Sequence, residues 1–156
     1  MKANIGISDK NRQEVANILF GLLADEFVLY TKTRNAHWNV EGIDFHDKHK
    51  FFEAQYEQLE DLVDDVAERI RSLGHYAPAT MKSFLDLTHL TEKRISGNTS
   101  KNFIKDLLGD HESIIILLRE NINKIADKFG DVGTGDFLTG LMEEHEKVAW
   151  MMRAHL

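Results

Sequence analysis

Four long stretches of the chain repeat apolar residues at spacings of three and four, the period of a helix with one buried face. From about Asp9 to His37 the apolar positions are Val15, Ile18, Leu19, Leu22 and Leu23, and Ser8 or Asp9 stands where a helix cap belongs. From about Asp44 to Leu73 the series Phe52, Tyr56, Leu59, Val63, Val66, Ile70 and Leu73 runs without a break, and Gly74 marks its end. From about Ser100 to Phe129 the stripe is Ile104, Leu107, Leu108, Ile115, Leu118, Ile122 and Ile125, behind a cap at Thr99 or Ser100. From about Thr134 to His155 it is Leu138, Leu141, Met142, Val148 and Met152. With Pro78 the sole proline, the pattern predicts an all-α chain.

The connections set the expected topology. A short loop containing Gly42 joins the first two helices, and a few residues around Gly130 and Gly133 join the last two. Short loops make antiparallel neighbours. The stretch from Gly74 to Asn98 is long for a connection. It is read as a crossover along the bundle, with a short helix near Met81 to Leu87. A four-helix bundle with one long crossover is the ferritin-like arrangement. The chain shows no internal repeat and no composition break, so residues 1–156 read as one domain.

At 156 residues the chain can bury a core without staples. It has no cysteine, which excludes disulfides, thiolate metal sites and thiol catalysis. A metal would have to be held by imidazole and carboxylate, ligands that suit iron, zinc and manganese. No apolar run approaches the roughly 18 residues of a membrane span. Residues Met1 to Gly6 hold no apolar signal core, so a cytoplasmic location is expected. The formal charge of −7 opposes attraction to nucleic acid or anionic lipid and favours cations.

Candidate chemistry lies on the second helix. Beside its apolar stripe runs an acidic one: Glu53, Glu57, Glu60, Asp64 and Glu68. His49 with Glu53, and Asp64 with Glu68, form pairs four residues apart, each on one helix face and able to grip a cation. His37 ends the first helix. The two pairs lie 15 residues apart, roughly 22 Å at about 1.5 Å per residue. One ion cannot touch both pairs within one chain. Either there are two separate weak sites, or two chains meet antiparallel and each site is shared across a two-fold axis. Singly, each residue has an ordinary reading. His37 suits a helix C-terminus, His49 a hydrogen-bonded core position, and the acids a solvated face.

The stretch Thr31-Lys32-Thr33-Arg34-Asn35-Ala36-His37-Trp38-Asn39-Val40-Glu41-Gly42 resembles the "KTRN-x-HWNV-x-G" stretch of the Dps family, the mini-ferritins. Phe45 followed by His49-x-x-Phe52-Glu53 resembles the family's second ligand block, and Asp64-Asp65-Val66-Ala67-Glu68-Arg69 its third. The similarity extends over nearly the whole chain. It implies a ferritin-like bundle assembled into a hollow homo-dodecamer. It also implies an inter-subunit ferroxidase site where hydrogen peroxide, or more slowly oxygen, oxidises iron(II) for storage as mineral. Carried over, the ligands are His37, His49 and Glu53 of one subunit with Asp64 and Glu68 of its partner, holding two irons. Two irons held close let peroxide take two electrons together without releasing a radical. Trp38 resembles the family tryptophan beside the site and is expected to pack there, with supply of an electron as the alternative role.

The same resemblance implies acid-lined pores with Asp136 and Asp131 as their candidates; the plain alternative is loop and helix-start acids. Glu57, Glu60 and Asp61 are candidates for mineral nucleation or for a plain solvated stripe. His46 reads as a surface residue, and His111 as buried and hydrogen-bonded rather than ligating. No role is assigned to His75, His89, His145 or His155. Many relatives coat DNA through a basic tail that this sequence does not display, so DNA binding is expected to be weak or absent. The competing function is a DNA-compacting structural protein with minor oxidase activity. A larger ferritin normally carries Glu-x-x-His pairs, and this sequence has none. A helical interaction protein with incidental acids leaves the histidine spacing unexplained.

Overall fold

The structure is a computed structural model and describes residues 3–92 and 96–156. Met1 and Lys2 of the N-terminal stretch, and residues 93–95 of the crossover, lie outside the described residues. The expected helices are present: α1 (Asp9–Asn39), α2 (Phe45–Ser72), the short crossover helix α3 (Met81–Leu87), α4 (Ser100–Asn123) and α5 (Val132–Arg153). α1 packs along α2 and α4 along α5, while α1 also meets α3 and α4. This is a four-helix bundle with one long crossover.

Caps fix where the helices begin. The Ser8 hydroxyl accepts the Asn11 N–H at the start of α1, and Thr99 accepts the Asn102 N–H at the start of α4. Thr80 and Ser83 form a capping box that starts α3. α5 begins at Val132, two residues before the approximate start near Thr134 that the apolar pattern predicts, because Asp131 caps it. The Asp131 carboxylate accepts the Thr134 N–H at 2.9 Å.

The helical stretch expected from about Ser100 to Phe129 is present, but it is not α-helical throughout. α4 stops at Asn123 and one widened turn of π-helix, Lys124–Lys128, follows. The widened turn makes room for α5. A Cβ on Gly135 would lie 3.0 Å from the Ala126 Cβ and 3.3 Å from the Ile122 carbonyl, so α5 presses directly on this turn. Single-turn π segments of this kind arise where one residue too many must be accommodated.

The core runs the length of the bundle through Leu19, Leu22, Phe52, Ile70, Leu107, Leu118, Ile125 and Leu138, all buried. Burying one Leu- or Phe-sized side chain contributes about 1.5–3 kcal/mol. Phe52, fully buried and edge-on to Phe103, fixes the rotation of α2 and so aims His49, about one turn earlier, at α1. Tyr56 and Val63, placed on the apolar stripe, are only half-buried. Val63 borders an open cleft with Phe27, Tyr30, Asp61 and Asp64.

The crossover is pinned to α1 by Asp25, a carboxylate 1% exposed. It accepts the Thr88 hydroxyl at 2.7 Å, the His89 N–H at 2.6 Å and the His89 ring at 2.9 Å. Phe84 stacks on Phe27 with ring centroids 4.3 Å apart. Near the candidate site, Gly42 turns the α1–α2 loop at φ 134°, a conformation that only glycine adopts cheaply. The Glu41 N–H then donates to the Asn98 carbonyl at 2.8 Å and ties that loop to the start of α4.

Candidate metal centre

The loop from Val40 to Asp44 folds α2 back so that His37 and His49 meet. Their rings stack at 3.8 Å between centroids, 21° from parallel. The His37 Nδ1–H donates to the His49 carbonyl at 2.9 Å, and the His49 Nδ1–H donates to the His37 carbonyl, also at 2.9 Å. The His37 carbonyl is free for this because it lies in the last turn of α1, where carbonyls lose their helical partners. Residue Glu41, which would have supplied that partner, turns its N–H to Asn98 instead. A carbonyl can only accept, so both Nδ1 atoms carry hydrogen. In the neutral form each ring therefore has its lone pair on Nε2, the atom left for a metal.

Packing holds the pair. His37 is 8% exposed, Phe45 stacks on His49 at 5.2 Å, and Tyr56 meets His37 edge-on at 5.1 Å. Arg34 lies over the Tyr56 ring at 4.3 Å and reaches the Trp38 ring at 5.2 Å. Trp38 itself is 64% exposed, so within one chain it covers Arg34 rather than the histidines. Arg34, Tyr56 and Phe45 were not singled out as site partners by spacing, because their contacts depend on how α1 and α2 pair.

One turn beyond His49, Glu53 has its carboxylate 2.5 Å from the Lys50 ammonium. Lys50 holds Glu53 below the usual carboxylate range, and His37 and His49 add to that in smaller measure. Glu53 is thus an ionised ligand candidate with an exchangeable lysine partner. Asp64 and Glu68 lie farther along α2, exposed, with Asp64 on the open cleft. Among the described residues, no group of three His, Asp or Glu side chains is gathered closely enough to hold a cation. The chain presents His37, His49 and Glu53 at one end of α2 and Asp64 and Glu68 at the other.

The remaining candidates fall in different settings. Asp131 is 3% exposed, and its carboxylate accepts from Thr134 and, at 3.0 Å, from Arg69. It serves as the cap of α5 in this chain. Asp136, Glu57, Glu60 and Asp61 are exposed. His46 is at the surface as expected, and His111 is buried and hydrogen-bonded as expected. His145, left without a role by the sequence, is His111's partner and is joined in turn to Glu26. A signal for Glu26 existed: Asp25 and Glu26 are carboxylates inside an otherwise apolar run.

The ferritin-like domain family matches residues 16–156. A low temperature-induced protein of Nostoc sp., itself uncharacterized, is 43% identical over 155 residues, spanning 99% of this chain and 87% of that protein. The DNA protection during starvation protein of Helicobacter pylori is 37% identical, spanning 89% of this chain and 96% of its own length. The Dps protein of Vibrio cholerae, described as a member of a broad superfamily of ferritin-like diiron-carboxylate proteins, superposes with a TM-score of 0.91. It is 29% identical over 99% of this chain and 96% of that one. Dps of Mycobacterium smegmatis superposes with a TM-score of 0.92 at 28% identity, spanning 100% of this chain and 94% of that one.

Proposed function

The chain belongs to the Dps family of ferritin-like proteins, and from that premise we propose that it is a ferroxidase that oxidises and stores iron at a site shared between two subunits. The observation that carries this reading is the reciprocal bonding of His37 and His49, which fixes both rings with Nε2 as the free atom. Such bonds to the far ring nitrogen are what orient metal-binding imidazoles. A core histidine pair with no ligand duty has no need to leave both Nε2 atoms bare.

Iron(II) is the substrate. His37 and His49 bind it through Nε2, and Glu53 joins them by exchanging Lys50 for the metal. Asp64 and Glu68 of the partner subunit complete the set across a two-fold axis, so each dimer carries two equivalent sites. The separation of the two halves along α2 supports this, because neither half is a complete site alone. With two iron(II) ions bound, hydrogen peroxide takes one electron from each. Two protons are consumed, and two iron(III) ions and two waters result. Oxygen serves as the slower oxidant. Neutral imidazole and carboxylate suit this cycle because they hold iron(II) without filling its coordination.

The assembled form is a homo-dodecamer in the cytoplasm, with the mineral inside. Asp136, exposed near the start of α5, is the stronger pore candidate, since Asp131 is engaged as a cap. Exposed Glu57, Glu60 and Asp61 are the nucleation candidates. No described helix is long and apolar enough to cross a membrane. A formal charge of −7 per chain disfavours direct DNA binding at moderate salt, so protection runs through removal of iron(II) and peroxide.

The test is anaerobic addition of stoichiometric hydrogen peroxide to apo-protein loaded with iron(II), following iron(III) absorbance with a radical trap present. Rapid oxidation at about two irons per peroxide, set by the two-electron need of peroxide, with little trapped radical, is expected. Oxidation no faster than that of free iron(II) contradicts the proposal.

A further inference from the structure

A second polar cluster lies inside the bundle. Glu26 on α1, His145 on α5 and His111 on α4 form a hydrogen-bonded chain. Glu26 Oε1 is 2.8 Å from His145 Nε2, and His145 Nδ1 is 2.8 Å from His111 Nδ1. The three residues are 0%, 1% and 1% exposed. At both ends the chain stops short: Glu26 Oε2 and His111 Nε2 are buried without a hydrogen-bond partner. Buried polar atoms are rarely left so. A single cation does not account for them, because His145 spends one ring nitrogen on each neighbour and cannot turn both to one ion.

The two orphaned atoms are the free ends of one hydrogen-bonded chain, the second carboxylate oxygen of Glu26 and the second ring nitrogen of His111. His111 Nε2 is therefore a place where a proton can arrive and find no acceptor.

A proton added at His111 places a charge in a dry interior, which is costly unless paired. No surrounding carboxylate is hydrogen-bonded to His111 among the described residues. α2 presents Gln55 and Gln58, which carry no charge. Glu144 of α5 lies beside the histidines but is bonded to Gln58 at 2.7 Å. On α4 the neighbouring Asp110 is paired with Lys32 of α1 at 2.5 Å. We infer that Glu26, His145 and His111 are an acid-sensing device in which a proton arriving at His111 loosens the packing of α1, α4 and α5.

Burial, and in smaller measure His145, push the His111 imidazole well below its ordinary value of 6.5. The folded chain therefore holds His111 neutral where the unfolded chain protonates it. The contribution of His111 to stability is greatest above about pH 6.5 and falls as the pH drops below that, until His111 is protonated in the fold as well. The device uses none of the proposed iron ligands, so its failure and theirs are separable.

The test compares the chemical unfolding of the assembled protein and of His111→Gln from pH 7.5 to pH 5. One extra proton taken up on unfolding makes the wild-type unfolding constant rise about tenfold more per pH unit than that of the variant below 6.5. Parallel pH dependences overturn the proposal. A second measurement needs no variant: imidazole nitrogen resonance of the 15N-histidine-labelled wild type. A coupling across the Nδ1–Nδ1 hydrogen bond is expected, with His111 still neutral well below pH 6.5. Protonation of His111 near pH 6.5 overturns the proposal equally.

Discussion

His37 and His49 each give a ring N–H to the other's backbone carbonyl, at 2.9 Å in both directions. The exchange ties the last turn of α1 to the second turn of α2 and decides which nitrogen of each ring faces outward. It separates two roles that a histidine usually mixes. Nδ1 holds the fold, and Nε2 is left free for a ligand.

That separation can be tested by substitution. An asparagine at position 49 places its amide N–H near where His49 Nδ1–H stands, and offers nothing at Nε2. His49→Asn is expected to keep the stability within about 1 kcal/mol, the net worth of one hydrogen bond. It is expected to slow peroxide-driven iron oxidation at least about 10–100-fold, since loss of a bound group costs no less than loss of its orienting partner. Urea midpoints and stopped-flow absorbance check the two halves. Loss of fold with retained activity per folded molecule contradicts the assignment.

Asp131 links α5 to α2 by capping one and accepting from Arg69 of the other. Asp131→Ala removes the cap and leaves Arg69 without this acceptor. A loss of about 1–2 kcal/mol is expected, which for a chain of this size lowers the melting temperature by about 2–4 °C per kcal/mol. Calorimetry at pH 7 reads it. Unchanged melting shows that the cap is replaceable.

Glycine within a helix ordinarily costs about 0.5–1 kcal/mol relative to alanine, so an alanine substitution ordinarily helps. At position 135 the opposite is expected, because the added Cβ would sit 3.0 Å from the Ala126 Cβ. Overpacking of this kind costs about 1–3 kcal/mol. Gly135→Ala should therefore lower the urea midpoint, and a raised midpoint would show that the π turn yields without strain.

Most of the fold was readable because apolar spacing reports which helix faces are buried. The π turn was not, since Ile122, Ile125 and Phe129 keep spacings of three and four across it. At the site, the order His37, His49, Glu53, Asp64, Glu68 was visible as ligand types at helical intervals. The reciprocal bonds were invisible, because they use backbone carbonyls, which carry no residue signature. His145 was passed over for a related reason. Its partners Glu26 and His111 come from two other helices, and no spacing along one helix connects them.

Asp44, just before α2, supplies a pH dependence. The Ser100 hydroxyl holds its carboxyl below the ordinary 3.8. The folded state thus keeps Asp44 ionised where the unfolded chain has begun to protonate it. Its contribution is full above 3.8 and is lost as the pH falls through the lowered folded value. Wild type and Asp44→Asn should differ by a constant amount between pH 7 and pH 5, then converge below pH 4 in denaturant unfolding. A difference that grows on acidification has the wrong sign.

The proposed functional site is built by two chains. Shells co-assembled from His49→Ala and Asp64→Ala subunits test it most directly, because each parent spoils every site while a mixed dimer concentrates both lesions in one of its two. Parents alone are expected to oxidise iron(II) with peroxide no faster than free iron. In a random mixture about half of the dimers are mixed and each regains one intact site, so roughly one quarter of wild-type activity should return. Folded, co-assembled shells that recover none would contradict a shared site.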